Sequence, residues 1–439
     1  MALTLSRRRF LLAALGTAAV PVLQACGQSQ PAQPAQSAAQ PQGDGKVLFW
    51  NNSDQWKKTN DFYTQQFDAF KKAHPNASFQ AASIPYADYE AKYLAAFAAR
   101  KNAPELFVAK VAQFAGSVAV GDAAPDDLNT LLDKNVVKAI SNFYKIDNRF
   151  YGVPLSADLG MMLYYNSDHF KEAGLDPSKP PETMTQMAEY AKKLVKVEGG
   201  DIKRSGFAHR YSGAPSGIAD KFLPFLHAFG GRAYAADRKT STGLVNGPES
   251  IAALQFVSDM TQKDKTSSLA LGLPEEQFGR GQASMIFRES WLVGWLRDNA
   301  PNIHYEVVPM PSEKQYPGVS LFFSWAVMVN KFSPNKDLAW EFLKFLAKPE
   351  TDLALAKLEG YLPVWESNFK DPYLADRKDY KALQKIMSSP PGPYYDHPYI
   401  NDISTRLGQA VEQGLRGTKS AKDALDAAAK DIDAILAKA

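Results

Sequence analysis

Polar side chains follow two apolar runs near the start of the folded part of this chain. The segment 51–54 comes directly after the run 46–50, and the segment 110–114 closes the run 106–111. If both runs are parallel strands of one sheet, their carboxyl ends meet where open α/β sheets bind ligands. The pattern therefore predicts a cleft that hydrogen-bonds a polar ligand. The side chains concerned are those of Asn51, Asn52, Ser53, Asp54 and Lys110 to Phe114.

Motifs for catalysis or metal binding are not evident in the sequence. It contains no Gly-x-Ser-x-Gly elbow, no His-Glu-x-x-His helix and no phosphate-binding loop. The six histidines are scattered without metal-ligand spacing, and a single cysteine forms neither an internal disulfide nor a metal site. Because Asp and Glu are numerous, a pair of glycosidase carboxylates stays open. We therefore expect no cofactor, no metal and no catalytic residue.

The N-terminal segment is typical of an exported protein. Three arginines, Arg7 to Arg9, precede an apolar run at 11–20 that is too short to span a bilayer. Arg7 and Arg8 before Phe10 resemble the twin-arginine signal. Leu-Gln-Ala-Cys at 23–26 resembles a bacterial lipobox, in which Cys26 becomes the lipidated N-terminus. An ordinary cleaved signal with a chance cysteine is the alternative, as is general export.

Residues that follow the cysteine are poor in apolar side chains. They are mostly Gln, Ala, Pro, Ser and Gly, a composition that cannot bury enough surface to fold. We therefore predict an export signal over 1–25 and a lipidated cysteine with a flexible tether over 26–45. The protein would then lie in the cell envelope, in the periplasm or anchored to the outer face of a membrane.

Length and charge restrict the remaining possibilities. A chain of 439 residues is too long for one ordinary core, so two lobes or domains are expected. Hydrophobic residues make up 45% and charged residues 22%, as in folded globular proteins. The formal charge of +3 equals the charge of the three N-terminal arginines, so the rest of the chain is neutral. A neutral chain gives no support for a nucleic-acid partner.

Strand and helix patterns alternate in the first region of the folded part. Strands are predicted at 46–50, 78–84 and 106–111, with helices at 58–73 and 86–100 whose aromatic residues share one face. This order predicts a parallel sheet with helices on its faces.

A second region carries further strands and clear capping signals. Strands are predicted at 161–166, 284–288, 305–310 and 324–330. Thr183 is expected to cap one helix and Ser333 another, and Ser420 with Asp423 is expected to form a capping box for the last helix.

The order of short motifs is similar to that of the family 1 extracellular solute-binding proteins of ABC transporters, which include maltose- and oligosaccharide-binding proteins. Two departures, Glu105 for the usual Asp and Met184 for the usual Trp, are expected to be structural. The matching stretches cover nearly the whole chain after Cys26 and are LFWNNSD at 48–54, FKKAHP at 70–75, IPYADY at 84–89, APELF at 103–107, YGVP at 151–154, LYYN at 163–166, KEAGL at 171–175, FGRGQASM at 278–285, AWEFLKFL at 339–346 and GYLP at 360–363.

The resemblance implies an α/β fold of the type II periplasmic-binding-protein class. Its two lobes would be joined by hinge crossings near 154–156, 309–311 and 363–365, with the ligand in the cleft between them. Lobe 1 would comprise 46–155 and 310–363, and lobe 2 would comprise 156–309 and 364–439. The ligand would favour the closed form, which the permease subunits of the transporter would sense. The protein is expected to act as a monomer.

Polar groups and aromatic rings are the residue types that would bind a sugar. Its hydroxyls need hydrogen-bonding partners and its C–H faces need flat rings. The resemblance favours Trp291 as a stacking ring and Asp158 as the polar residue after the first crossing, while Asn51 and Asn52 could equally cap the next helix. The full set of predicted ligand-binding residues is Asn51, Asn52, Asp54, Gln113, Asp158, Arg210, Asp220, Glu289, Trp291, Trp325, Tyr361 and Tyr394, with Tyr395 beside the last.

Three function classes follow from this reading. The first is a sugar-binding component of an ABC importer, and the second is a binding component for an anionic solute such as glycerol phosphate. An anion needs convergent cations in the cleft, and the available ones are Lys110, Arg210, Arg288 and Arg297. The third class is a secreted carbohydrate-active enzyme.

Overall fold

The structure is a computed structural model that describes residues 45–52, 57–86, 88–155, 160–313, 325–387 and 397–438. The predicted signal, Cys26 and most of the tether therefore lie outside the described residues, as do Asp54, Asp158 and Tyr394. Within the described ranges, no helix combines the length and apolarity needed to cross a membrane.

The first region forms the alternating pattern that the sequence predicts. β1 is parallel to both β2 and β3, with α1 and α2 as the crossovers. The elements up to the first predicted crossing are β1 (Lys46–Asn51), α1 (Lys57–Phe70), β2 (Ser78–Ser83), α2 (Tyr89–Ala99), β3 (Leu106–Lys110), a π-helix (Ala112–Ser117), α3 (Asp126–Asn135), α4 (Lys138–Ser141), a 3-10 turn (Asn142–Tyr144), β4 (Lys145–Ile146) and β5 (Arg149–Phe150).

The middle of the chain builds a second sheet and its helices. Its elements are β6 (Met162–Asn166), α5 (Ser167–Glu172), α6 (Met184–Leu194), β7 (Lys196–Glu198), β8 (Asp201–Arg204), α7 (Pro215–Ala228), α8 (Pro248–Gln262), α9 (Pro274–Gly279), β9 (Met285–Arg288), α10 (Trp291–Asn299) and β10 (Tyr305–Pro309).

The last part of the chain contains one further strand and the C-terminal helices. Its elements are β11 (Trp325–Val329), α11 (Lys336–Leu346), α12 (Pro349–Glu359), 3-10 turns (Glu366–Lys370 and Pro372–Leu374), α13 (Lys378–Met387), α14 (Ile400–Leu415) and α15 (Ala421–Leu436).

Among the described residues, two sheets organise three hydrophobic clusters, the third of which packs α9, α10 and α13 against the three-stranded sheet. The four-stranded sheet has the order β11-β3-β1-β2, with β11 antiparallel to β3, and its core also includes side chains of α11 and α12. The three-stranded sheet has the order β10-β6-β9, and the core around it includes α6, α7, α8, α14 and α15. We call these parts the first and second lobe. The predicted residue boundaries of the lobes stay a prediction.

The predicted caps Thr183 and Ser420 are confirmed, whereas the predicted cap Ser333 is wrong. Thr183 and Gln186 form a full capping box, and Ser420 accepts from the Asp423 N–H at 3.1 Å. Ser333 does not cap α11, which begins at Lys336. Its hydroxyl instead donates to Glu105 and accepts from the Asn335 N–H.

Both departures from the family pattern are structural, as expected. Glu105 accepts a hydrogen bond from the Leu48 N–H at 2.7 Å and so ties β1 to the start of β3. Met184 is fully buried in the second-lobe core.

Helix α2 begins at Tyr89, three residues later than the aromatic periodicity predicted. Asp88 occupies the position before the first helical residue, where Asp is a favoured residue type. Tyr86 therefore lies in the loop between β2 and α2, at the carboxyl end of the sheet.

Candidate binding cleft

The first-lobe wall of the cleft is an aromatic surface with one lysine. Trp325 opens β11 and is paired in register with Lys110, the last residue of β3. The Lys110 Nζ lies 5.6 Å from the centre of the Trp325 ring. The rings of Tyr86 and Tyr89 lie 6.3 Å and 5.8 Å from the same tryptophan. Flat rings next to a hydrogen-bond donor suit the apolar and hydroxyl faces of a sugar.

The second-lobe wall is one face of α7. Ser216 and Asp220 are four residues apart and therefore lie on the same side of this helix. Asp220 accepts a hydrogen bond from the Lys110 Nζ at 2.7 Å, and the Ser216 hydroxyl donates to Glu90 at 3.2 Å. Both contacts join the two lobes, so the predicted residues Asp220 and Lys110 meet across the cleft.

Charges in the described part of the cleft are balanced. The Arg210 guanidinium lies 5.8 Å from the Tyr86 ring centre, and Lys110, Asp220 and Glu90 also act electrostatically on that tyrosine. Burial raises the pKa of Tyr86 to about 12, so its hydroxyl stays neutral. Burial disfavours the charged form of Lys110, but the Asp220 carboxylate holds the lysine pKa above its usual value.

A second polar group lies at the end of β9. Glu289 is 2% exposed and accepts hydrogen bonds from Lys221 and, at 3.1 Å, from the Trp291 indole N–H. Burial opposes ionisation of Glu289, but Lys221 and Arg288 lower its pKa. Trp291 is half-buried at the start of α10, where its indole is fixed by this carboxylate. The predicted residues Glu289 and Trp291 are therefore hydrogen-bonded to each other.

Other predicted site residues are placed less directly at the cleft. The Asn51 amide donates to Asn60 at 2.5 Å, which ties β1 to α1 through a side chain. Gln113 is buried on the π-helix, and Asn52 is half-buried. Tyr361 is half-buried just after α12, where its carbonyl accepts from Arg377. The binding roles of all these residues stay predictions.

Several residues of the cleft walls were not predicted from the sequence. Tyr86 was assigned to a helix, although Asp88 was a better start signal. Glu90, Ser216 and Lys221 carry no motif, and only their contacts across the fold identify them. Among the described residues, no group of three or more His, Cys, Asp or Glu is placed to hold a metal ion.

Known proteins with similar sequence or structure place the chain in a family. A sn-glycerol-3-phosphate-binding periplasmic protein UgpB from Pectobacterium atrosepticum is 28% identical over 298 residues, which are 63% of this chain and 64% of that protein. The chain thus spans just under two thirds of this relative.

Solved structures share the fold over nearly the whole chain. A solute-binding protein from Thermotoga lettingae bound with α-D-tagatose superposes with a TM-score of 0.78 at 20% identity, over 89% of this chain and 100% of that structure. Maltose-bound T. maritima MalE3 gives 0.75 at 23% identity, over 89% and 99%. These similarities confirm the predicted two-lobe type II fold.

A family model provides the remaining evidence. The model described as bacterial extracellular solute-binding protein matches residues 65–382, which is most of the chain and includes parts of both lobes. The match confirms the resemblance that the ten motifs indicated. The chain belongs to the bacterial extracellular solute-binding proteins.

Proposed function

We propose that this protein binds a neutral sugar or short oligosaccharide between its lobes and delivers it to the permease of an ABC importer. The balanced charge of the cleft is the observation that carries this proposal. Lys110 is bonded to Asp220, and Arg210 interacts electrostatically with Glu275. Such a cleft offers donors and acceptors together with rings, as a polyhydroxylated ligand requires.

Glycerol phosphate is the second candidate, because the UgpB relative is named for it. A phosphate needs cations that are not already matched by carboxylates. Arg288 is 1% exposed and paired with Glu275, and Lys221 is paired with Glu289. Arg297 bonds two carbonyls at the end of α12. Three of the four cations named from the sequence, Lys110, Arg288 and Arg297, are thus already bonded, which favours the neutral ligand.

Asp220→Asn separates the two ligand classes, because it releases Lys110 from its carboxylate. A neutral sugar should bind about tenfold or more weakly, since it loses a charged hydrogen-bond acceptor. An anion should bind more tightly, since the cleft gains net positive charge. Calorimetric titration with tagatose, maltose and glycerol 3-phosphate measures both effects. Asp264→Asn, which removes a carboxylate paired with Lys192 at 3.7 Å, is the matched control.

Binding without turnover is part of the same proposal. It is supported by membership of a family of binding proteins and by the carboxylates of the cleft, which are matched by cations. Incubation with the best ligand should return it unchanged. Product that forms at a rate dependent on Glu289 would instead favour the enzyme.

A lipid anchor at Cys26 is proposed from the lipobox-like Leu-Gln-Ala-Cys at 23–26. Cys26→Ala should move the protein from the membrane fraction to the soluble fraction of the envelope. Unchanged membrane association of this variant would contradict the anchor while leaving the binding function intact.

A further inference from the structure

A small cavity lies inside the second lobe, behind the cleft wall. It has a volume of about 20 Å³ and lies between the three-stranded sheet, α7, α8 and α14. One water molecule needs roughly 10–15 Å³, so the cavity accommodates a single oxygen-bearing group and no ring. Much of its wall is apolar and includes Phe207, Phe225, Phe287 and Val411.

Two residues that line the cavity each have one buried nitrogen atom without a hydrogen-bond partner in the described part of the chain. These atoms are the Nε2 of His209 and the Nε of Arg210. His209 is only 6% exposed. Buried polar atoms are almost always hydrogen-bonded in folded proteins, so this pair is suited to an oxygen atom supplied from outside.

The His209 ring is held in place and is neutral. It packs against Phe207 and Phe225, with ring centres 4.7 Å and 5.5 Å away. Burial lowers the pKa of His209 to about 3. A neutral imidazole nitrogen either donates or accepts a hydrogen bond, and a hydroxyl group can be its partner in both cases. A carboxylate or phosphate oxygen can only accept, so it matches only the His209 tautomer that carries its proton on Nε2.

Arg210 connects the cavity to the cleft. Its side chain lines the cavity, and its guanidinium lies 5.8 Å from the ring of Tyr86 in the first lobe. Arg210 therefore extends from the cavity to the contact between the lobes.

We propose that this cavity is a terminal subsite that takes one hydroxyl or hydroxymethyl group of the sugar, hydrogen-bonded by His209 and Arg210. The inference rests on the proposed function and makes it specific. One sugar substituent enters the second lobe while the ring stays in the cleft. His209 thereby becomes a specificity-determining residue, although no pattern in the sequence indicates this role.

The test combines one substitution with deoxy sugars. Wild-type protein is first titrated with glucose, tagatose and maltose, and then with the monodeoxy derivatives of the tightest of these. One derivative should bind about tenfold to a hundredfold more weakly, because a site built for a hydroxyl discriminates against its absence. His209→Phe should bind the parent sugar and that derivative equally weakly. His209→Phe with wild-type affinity, or with the same loss for every derivative, overturns the subsite.

Two further variants keep the result interpretable. His227→Phe replaces another buried histidine, which belongs to α7 and does not line the cavity, and it should retain wild-type affinity. Val411→Leu narrows the cavity from α14 and should weaken the same contact if His209→Phe does not fold. Lower stability of His209→Phe with unchanged affinity would show that the cavity holds only water, which also overturns the proposal. Failure of wild-type protein to bind any neutral sugar would instead count against the proposed function.

Discussion

Two of the regions in which the lobes contact each other are built differently. In the cleft, the contacts join side chains, as in the Lys110–Asp220 pair at 2.7 Å and the Ser216–Glu90 bond at 3.2 Å. The other region, which we call the α12 joint, brings the backbone of α10 against the end of α12. A Cβ built on Gly294 would lie 2.0 Å from the Glu359 carbonyl oxygen, so the glycine permits this approach.

Arginines complete the α12 joint by binding the carbonyls that end α12. Arg297 donates to the carbonyls of Lys357 and Leu358 at 3.1 Å and 3.0 Å. Arg377 donates to the carbonyls of Gly360 and Tyr361 at 2.6 Å and 2.7 Å. The last carbonyls of a helix have no hydrogen-bond partner within the helix. Cations at this end also interact favourably with the helix dipole.

This difference indicates which region moves when the lobes separate. Contacts between polar side chains exchange readily for bonds to water or ligand, whereas a close backbone contact has no such substitute. We therefore expect the cleft to open and close while the α12 joint acts as the pivot of a hinge motion. The predictions below test this contrast.

Lowering the pH should give the largest difference in stability between the two regions. The second lobe buries His209 and His227, whose pKa values burial lowers to about 3 and about 4, while the α12 joint relies on arginines that do not titrate. Between pH 6.5 and about 4 the unfolded chain binds protons that the folded protein does not. The free energy of unfolding should therefore fall with decreasing pH, by about 1.4 kcal/mol per pH unit for each histidine.

Urea unfolding at a series of pH values measures this slope. His227→Phe should make it shallower by one proton, and Gly294→Ala should shift the whole curve without changing its slope. Identical slopes for wild type and His227→Phe would mean that the buried imidazole titrates normally.

Trp291→Ala should give the largest change in ligand affinity. Loss of a buried contact ring typically costs about 2–4 kcal/mol, or about 30- to 1,000-fold in dissociation constant. Trp295→Ala on the same helix is the control, since Trp295 packs against Gly279 in the second lobe and should affect stability rather than affinity. Calorimetric titration and melting of both variants decide the matter. A melting temperature that collapses in Trp291→Ala with affinity retained would place this ring in the core.

Gly294→Ala should damage the α12 joint. The added methyl group meets the backbone of Glu359 and Gly360, which cannot move as a side chain can. Forcing extra atoms into a packed contact typically costs about 1–3 kcal/mol, so we expect a lower free energy of unfolding. Small-angle scattering should also show a changed distance between the lobes with and without ligand. An unchanged scattering profile and stability would remove the joint from the hinge mechanism.

Local patterns in the sequence were sufficient for the three parallel strands of the first sheet, but not for its antiparallel strand β11 or for the cleft. The alternation that starts at Lys46 predicted β1, β2 and β3 and their parallel order, because side-chain periodicity and short connections determine them. Lys110 and Asp220 were each named as cleft residues, but their pairing joins positions that are 110 residues apart. A single sequence contains no pattern that indicates such a contact. His209 was overlooked for the same reason, since its role depends on the rings that bury it.

The smallest effect is expected from Gly217→Ala, the cleft counterpart of the joint variant. Gly217 lies in α7, and a Cβ built on it would be 3.5 Å from the Arg210 Nε, which is an ordinary contact. Alanine in place of glycine inside a helix usually adds roughly 0.5–1 kcal/mol of stability. Unfolding in urea should therefore show a small gain in stability. A loss of stability as large as that of Gly294→Ala would mean that the cleft wall is packed as rigidly as the α12 joint. This result would contradict the expected hinge motion, in which the cleft opens and the joint acts as the pivot.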